Sequence, residues 1–138
     1  MTSQSEILLV EDNAADVTLL RHCFPKTRQQ YHFTIAVNGE EASDYLFRRG
    51  TFSGRVVPHV IILDLNLPRK NGKEVLSEIK AIPDLLKVPV LIITGSNNPE
   101  DRRACLELGA TRFLIKPSSL EAMNALSSVL TEYLPVYA

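Results

Sequence analysis

Short apolar runs alternate along this chain with longer segments in which apolar and polar residues are mixed. Five runs are rich in branched side chains, and they occupy residues 7–10, 33–37, 60–63, 90–93 and 112–115. Each has the length and composition of a β-strand. The central three lack the apolar–polar alternation of a half-exposed strand, which predicts burial on both faces and therefore a parallel sheet covered by helices.

The segments between the runs begin with residues that start helices. An Asn or Ser side chain accepts a backbone N–H that lacks a partner in the first turn, and an acid three residues later suits the positive end of the helix. Five pairs have this arrangement: Asn13 with Asp16, Asn38 with Glu41, Asn71 with Glu74, Asn98 with Asp101, and Ser118 with Glu121. Five strands that alternate with five helices predict an α/β domain with a doubly wound, five-stranded parallel sheet.

Composition and charge narrow the possible functions. The chain has 138 residues, 45% of them hydrophobic, so we expect a single domain over residues 1–138 with no effector domain. Fifteen basic and sixteen acidic residues leave a net charge of −1, which disfavours nucleic-acid binding and a polybasic membrane anchor and favours protein partners. Apolar stretches fall far below the roughly 20 residues of a membrane span. Residues 1–6 lack a secretory signal, so we expect a cytoplasmic protein in which Cys23 and Cys105 are buried free thiols.

Carboxylates follow two of the predicted strands. Glu11 and Asp12 come directly after the first strand, and Asp64 comes directly after the third. In open parallel sheets the working site lies beyond the carboxyl ends of the strands, so we expect these acids to converge there. Clustered carboxylates repel one another unless a hard cation is bound. Magnesium is the natural choice, because it uses few carboxylates and leaves coordination sites for a phosphoryl oxygen.

Two further polar residues follow the fourth and fifth strands, namely Thr94 and Lys116. Taken singly, Thr94 could simply be a β-forming residue and Lys116 a charged residue at a strand end. Glu11 and Asp12 could likewise be ordinary acids at the start of a helix. Together with Asp64 they form a complete set for phosphoryl transfer to a carboxylate. Asp64 supplies the nucleophilic oxygen, while Thr94 and Lys116 hold the phosphoryl oxygens. No general base is needed, because the carboxylate is already ionised.

Four sequence blocks resemble the receiver domains of two-component response regulators. They are residues 10–13 (VEDN), 61–72 (IILDLNLPRKNG), 91–96 (LIITGS) and 109–117 (GATRFLIKP), and they span nearly the whole chain. The resemblance implies the flavodoxin-like receiver fold, (βα)5. It also implies a stand-alone response regulator that accepts a phosphoryl group on Asp64 from a sensor histidine kinase and signals through a downstream protein or a phosphotransfer partner. Beyond its own phosphorylation and slow autodephosphorylation, no enzymatic activity is expected.

The resemblance further implies a Mg²⁺ site. Asp12 and Asp64 would be metal ligands, and the backbone carbonyl of Asn66 would complete the protein ligands. Glu11 would act on the metal through a water molecule.

The resemblance also implies a switch. Thr94 would move toward the phosphoryl group, and Phe113, which takes the position of the switch aromatic, would turn inward to fill the space left behind. The peptide bond between Lys116 and Pro117 would be cis, which a proline permits at modest cost. Phe113 lacks the hydroxyl that a tyrosine carries at this position.

Two features depart from chemotaxis-type regulators. Residues 48–59 form a longer segment, and Arg69-Lys70 replaces a commoner small or apolar pair before Asn71-Gly72. With residues 64–68, these features are similar to the single-domain regulators that are paired with phytochrome-like histidine kinases.

Three other functions compete with this interpretation. A phosphatase of the haloacid-dehalogenase type also uses an aspartyl phosphate, but its nucleophile belongs to a DxD pattern after the first strand, where this chain has Glu11-Asp12-Asn13. A nucleotide-binding module would need a Gly-rich loop after the first strand, and none is present. A receiver-like scaffold that binds partners without phosphorylation stays open.

The last predicted helix carries more apolar residues than one core-facing stripe needs. They are Leu120, Met123, Leu126, Val129, Leu130, Tyr133 and Leu134, and the tail adds Val136 and Tyr137. This excess predicts a homodimer through the face formed by the fourth helix, the fifth strand and the fifth helix. The alternative is that the tail folds back over its own helix.

Overall fold

Five parallel strands form one sheet within residues 4–26 and 30–135, which the computed structural model describes. They are β1 (Gln4–Val10), β2 (Gln30–Ala36), β3 (Val60–Leu63), β4 (Val90–Thr94) and β5 (Arg112–Ile115). The helices are α1 (Ala14–Cys23), α2 (Gly39–Leu46), α3 (Gly72–Lys80), α4 (Pro99–Glu107) and α5 (Leu120–Thr131), with short 3₁₀ turns at Gly50–Phe52 and Pro83–Leu85. The strand order is β2-β1-β3-β4-β5, which confirms the predicted doubly wound (βα)5 fold.

Helices cover both faces of the sheet. Leu20 of α1 and Leu126 of α5 are buried in the core cluster on one face, and Leu46 of α2, Val75 of α3 and Cys105 of α4 are buried in the cluster on the other. Every residue of β3 and β4 is buried, as their unbroken apolar runs predict. No helix in the described ranges is long and apolar enough to cross a membrane.

Burial on both faces was also predicted for residues 33–37, and there the prediction is wrong. Residues 30–35 of β2 are exposed or half-buried, and Val37 lies beyond the end of the strand and is exposed. Within the described ranges, β2 pairs only with β1, because it is the outermost strand on its side of the sheet. The run of apolar residues does not reveal how many neighbouring strands or covering helices it will have.

Asn side chains cap four of the helices. Three accept the predicted backbone N–H: Asn13 that of Asp16, Asn38 that of Glu41, and Asn71 that of Glu74. Asn98 caps α4 but accepts the N–H of Glu100 rather than that of Asp101.

The predicted start of α5 is wrong by one residue. Ser119, not Ser118, is the last extended residue before the helix, and its hydroxyl oxygen accepts the N–H of Ala122 at 3.0 Å. The two adjacent serines carry the same chemistry, so only the backbone conformation decides which one caps the helix.

A buried arginine anchors the long segment 48–59. The Arg55 side chain is 2% exposed and pairs with Asp84 at 3.2 Å. It also donates to the carbonyl oxygens of Tyr45 at 3.0 Å and Leu46 at 2.7 Å. Because this segment leads into the start of β3, it lies toward the amino ends of the strands, away from the carboxylates that follow β1 and β3.

Gly72 brings the start of α3 against the end of β3. A Cβ added at Gly72 would lie 2.3 Å from the carbonyl oxygen of Asp64 and 2.7 Å from Cα of Leu65. Both are backbone atoms, which cannot rotate away as a flexible side chain does. Only glycine therefore allows this close approach.

We predict that Gly72→Ala lowers the free energy of unfolding by about 1–3 kcal/mol, because the added methyl group overpacks a contact between two backbone segments. Alanine is otherwise the better helix former, so helix propensity alone would raise the free energy of unfolding. The sign of the change therefore distinguishes a steric conflict from an effect of helix propensity. Urea unfolding followed by circular dichroism measures the effect. Gly54→Ala is the control, since its added Cβ meets nothing within 4 Å. Equal stability of the two variants would contradict the steric explanation.

Candidate functional site

Sheet hydrogen bonds continue past the strand ends and fix the backbone of the candidate residues. The N–H of Glu11 donates to the carbonyl oxygen of Ala36 at 2.9 Å, and the N–H of Asp64 donates to that of Val10 at 3.1 Å. Because β1 and β3 are parallel neighbours, the side chains of Glu11 and Asp64 both lie at the carboxyl end of the sheet. Carboxylate oxygens of Glu11, Asp12 and Asp64 lie within 4.8 Å of one another. The predicted convergence of the three acids is present.

Asp64 is buried and held at both oxygens. Its side chain is 6% exposed. Oδ1 accepts the backbone N–H of Leu65 at 2.7 Å and that of Asn66 at 3.4 Å, while Oδ2 accepts from the Lys116 ammonium at 3.0 Å. These contacts leave the carboxylate in one orientation, with its charge balanced by the ammonium.

Lys116 binds three carboxylates at once. Its Nζ lies 2.6 Å from Oε1 of Glu11, 2.8 Å from Oδ2 of Asp16 and 3.0 Å from Oδ2 of Asp64. An ammonium has three N–H groups, so each can serve one carboxylate. From the sequence, Asp16 was expected only as an acid at the helix start, so its contact with Lys116 was not predicted. The contact could have been inferred from the spacing of the two acids. Asp16 lies on the first turn of α1, four residues after Asp12, and this turn begins at the same end of the sheet as the acidic cluster.

Burial and neighbouring charges determine which groups of the cluster carry a proton. Burial raises the pKa of Glu11 to about 8, and the neighbouring Asp64 adds to the rise while Lys116 opposes it. Burial alone would also raise the pKa of Asp64, but its contacts with Glu11 and Lys116 outweigh burial and hold that pKa below its usual value. For Lys116, burial acts to lower the pKa, yet the contacts with Asp16, Glu11 and Asp64 raise it. Asp64 is therefore ionised at neutral pH and Lys116 is charged.

The donor set fits a hard divalent cation. Oε2 of Glu11 is buried and has no hydrogen-bond partner among the described residues, which is costly for a carboxylate oxygen. Asp12 is exposed at the mouth of the cluster, and Asn66 lies in the exposed loop after Asp64. Oxygen ligands of this kind suit Mg²⁺, which keeps several of its waters.

Thr94 and Phe113 lie on the adjacent strands β4 and β5. Thr94 is fully buried, and its hydroxyl oxygen accepts the N–H of Ser96 at 3.3 Å. The ring of Phe113 is also buried, and in this conformation it already lies in the core cluster beneath α4.

The expected cis bond between Lys116 and Pro117 is absent, since none of the peptide bonds in the described ranges is cis. The Lys116 N–H donates to the carbonyl oxygen of Thr94 at 2.8 Å, which extends the β4–β5 ladder by one residue. From this extended backbone the side chain reaches Glu11, Asp16 and Asp64 without a cis bond.

Known response regulators resemble this chain in sequence and structure. Response regulator Rcp1 from Synechocystis sp. is 39% identical over 115 residues, which are 83% of this chain and 78% of Rcp1. The crystal structure of its Mn²⁺-bound form has a TM-score of 0.86 at 34% identity and covers 97% of both chains. The phosphorylated cyanobacterial phytochrome response regulator RcpA has a TM-score of 0.88 at 31% identity, over 97% of this chain and 100% of that one.

A third relative was solved with a metal ion. The receiver domain of the sensor histidine kinase PA1611 from Pseudomonas aeruginosa, with magnesium coordinated in its active-site cleft, has a TM-score of 0.71 at 27% identity. It covers 95% of this chain and 98% of that one.

The family model of the response regulator receiver domain matches residues 7–127. That range includes the acidic cluster, Thr94 and Lys116. The chain therefore belongs to the response regulator receiver domain family.

Proposed function

We propose that this chain is a response regulator that accepts a phosphoryl group on Asp64 from a sensor histidine kinase and passes the signal on through protein contacts. The observation that carries the proposal is the state of Asp64, a buried carboxylate kept ionised by its contacts with Glu11 and Lys116 at the carboxyl end of the sheet. A buried charge of this kind is costly unless it is paired, so a purely structural role does not account for it.

The phosphoryl transfer needs no proton movement at the nucleophile. A carboxylate oxygen of Asp64 attacks phosphorus, an O–P bond forms, and the P–N bond of the kinase phosphohistidine breaks, with the electron pair going to the imidazole nitrogen. Lys116 and the hydroxyl of Thr94 then donate hydrogen bonds to the phosphoryl oxygens. The Asp64–Lys116 distance of 3.0 Å supports this role, because the ammonium is already directed at the acceptor.

We further propose that the acidic cluster holds Mg²⁺. Asp12, Asp64 and the backbone carbonyl of Asn66 would be its protein ligands, and Glu11 would act through a water molecule. When bound, the cation neutralises negative charge that develops as the phosphoryl group approaches the carboxylates. The unpartnered Oε2 of Glu11 supports a cation here, as do the Mn²⁺ in Rcp1 and the magnesium in the PA1611 receiver domain.

The partner kinase we propose is phytochrome-like. RcpA is a phytochrome response regulator, and it matches this chain over nearly its whole length. The switch would consist of Thr94 and Phe113, with Thr94 moving toward the phosphoryl group and the Phe113 ring filling the space behind it. Phosphorylation would shift the population toward the switched arrangement only to the extent that this arrangement binds the phosphoryl group more tightly than the unswitched one does.

We also propose a homodimer through α4, β5 and α5. Leu126 and Leu130 of α5, and Leu134 just after this helix, are buried in the core of their own chain, so the apolar excess here is smaller than the sequence suggested. Residues 136 and 137, which were expected to add to the surface, lie outside the described residues. The support that remains is a set of exposed apolar side chains on this face: Leu106, Ile115 and Leu120.

We predict that Asp64→Asn abolishes phosphorylation while the fold stays intact, because the amide keeps the volume of the carboxylate but loses its nucleophilic oxygen. Intact-protein mass spectrometry after incubation with acetyl phosphate and Mg²⁺ measures the adduct. Asp44→Asn, at an exposed ion pair with Arg49, is the control and should take up phosphoryl like the wild type. An undiminished adduct on Asp64→Asn would place the acceptor elsewhere.

We predict that the metal-free protein loses stability as the pH rises from about 5 to about 8, by on the order of 3 kcal/mol. The pKa of Glu11 is raised from 4.5 to about 8, so in this window the folded state keeps a proton that the unfolded chain has released. The lowered pKa of Asp64 and the raised pKa of Lys116 act outside this window, at acidic and alkaline pH respectively.

Urea unfolding in the presence of EDTA at several pH values measures this loss, and Glu11→Gln should remove most of it. Because ionised Glu11 would attract the hydrated cation more strongly than the protonated form, Mg²⁺ should also bind more tightly at the upper end of the window. A wild-type stability that is flat or rising from pH 5 to pH 8 would contradict the raised pKa.

We predict that sedimentation velocity shows a dimer that Leu120→Asp dissociates, because the substitution puts a charge into the proposed interface. Leu120 is 74% exposed, so the change should leave the fold intact. Tyr133 is a poorer site for this test, since it packs against the core. Leu86→Asp is the matched control, because Leu86 is 55% exposed outside α4, β5 and α5. A monomer at high concentration, with and without beryllofluoride, would remove the dimer and leave the chemistry of Asp64 untouched.

A further inference from the structure

A chain of hydrogen bonds outside the acidic cluster runs from α3 to the hydroxyl of Thr94. Lys73 in the first turn of α3 pairs with Oδ1 of Asp101 in α4, at 2.7 Å. Oδ2 of the same carboxylate accepts the hydroxyl of Ser96 at 2.8 Å, and the backbone N–H of Ser96 donates to the hydroxyl oxygen of Thr94 at 3.3 Å. Three side chains thereby connect a helix surface to a residue of the functional site.

The last hydrogen bond of this series, from the N–H of Ser96 to the hydroxyl oxygen of Thr94, helps to orient the Thr94 hydroxyl. A hydroxyl has one proton to donate, and when its oxygen accepts an N–H from one side the proton is free to point elsewhere. Thr94 is fully buried, so water does not compete for it. The Thr94 hydroxyl is also among the groups that oppose the effect of burial on the pKa of the Asp64 carboxyl. The N–H of Ser96 therefore limits the directions in which the Thr94 hydroxyl can donate its proton.

Ser96 lies in the loop between β4 and α4, and Asp101 fixes it there. The Ser96 hydroxyl donates to Asp101 and accepts the N–H of Asn98 at 3.4 Å. Asp101 uses a different oxygen for each partner, so Lys73 and Ser96 together determine how its carboxylate is turned. The pair with Lys73 also ties the first turn of α4 to the first turn of α3, beside a cavity of about 190 Å³ that Asn66 lines.

We propose that Asp101, held by Lys73, is a positioning residue for phosphoryl binding, because it fixes Ser96 and, through the Ser96 N–H, the hydroxyl of Thr94. The inference rests on the proposed function of Asp64, since the oriented hydroxyl serves a phosphoryl group on that residue. Among the described residues, Asp101 is hydrogen-bonded to Lys73 and Ser96 and not to Asp64 or Lys116. Its removal should weaken phosphoryl binding and leave metal binding unchanged.

The experiment measures the affinity for two probes separately: Mg²⁺ alone, and beryllofluoride in the presence of saturating Mg²⁺, as a mimic of the phosphoryl group. Asp101→Ala should weaken beryllofluoride binding by about threefold to tenfold, the effect of one misaligned hydrogen bond. Mg²⁺ affinity should not change. Ser96→Ala, which removes the hydroxyl but keeps the N–H, should act in the same direction and serves if Asp101→Ala folds poorly.

A double-mutant cycle with Thr94→Val separates positioning from a general structural effect. Once the Thr94 hydroxyl is gone, Asp101→Ala should cause no further loss of beryllofluoride affinity, because nothing remains to be oriented. A loss that adds fully to that of Thr94→Val would overturn the proposal, as would an unchanged affinity in both Asp101→Ala and Ser96→Ala.

Glu78→Ala is the matched control. Glu78 also accepts from one ammonium and one serine hydroxyl, those of Lys70 at 2.8 Å and Ser43 at 2.7 Å, but it is not hydrogen-bonded to Ser96 or Thr94. Its removal should leave beryllofluoride affinity at the wild-type value, and an equal loss in both variants would overturn the role of Asp101. If the wild-type protein bound Mg²⁺ but not beryllofluoride, the proposed function of Asp64 would fail first, and the role of Asp101 with it.

Discussion

One ammonium group holds together an acidic cluster that would otherwise repel itself. The sheet buries Glu11 and Asp64 side by side, and two ionised carboxylates at such a distance in a poorly hydrated place are strongly unfavourable. Lys116 offsets this by binding both, together with Asp16, and burial leaves the proton with Glu11. Asp64 consequently stays an ionised, oriented carboxylate, which is the state that a phosphoryl acceptor requires.

The parallel sheet makes this arrangement possible because it fixes backbone positions as well as directions. The N–H groups of Glu11, Asp64 and Lys116 each continue a strand ladder by one residue. The three side chains therefore start from regular backbone positions at the carboxyl end of the sheet. Gly72 then lets α3 begin against the backbone of Asp64. Rigid strands supply the geometry, and the loops that follow them supply the remaining polar groups.

Two similar polar clusters anchor the loops on either side of Asp64. In one, Lys70 of the loop after β3 binds Glu78 of α3 and Ser43 of α2. In the other, the residues are Lys73, Ser96 and Asp101. Each joins an ammonium, a serine hydroxyl and a carboxylate, and each ties neighbouring helices together near their ends. The first cluster restrains Lys70 at the end of its loop, four residues after Asn66, and has no hydrogen bond to the acidic cluster among the described residues. The second is linked to Thr94 through the N–H of Ser96.

The sequence by itself determined the elements that depend on local chemistry and on strand ends. Unbroken apolar runs located β3 and β4, Asn residues located the starts of α1 to α4, and the polar residue after each strand located Glu11, Asp64 and Lys116. Tertiary structure alone decided which strand lies at the edge, that Lys116–Pro117 is trans, and that Asp16 and Asp101 bind lysines. These features depend on which surfaces meet across the sheet and between helices, and such contacts join residues far apart in sequence whose spacing carries no periodic signal.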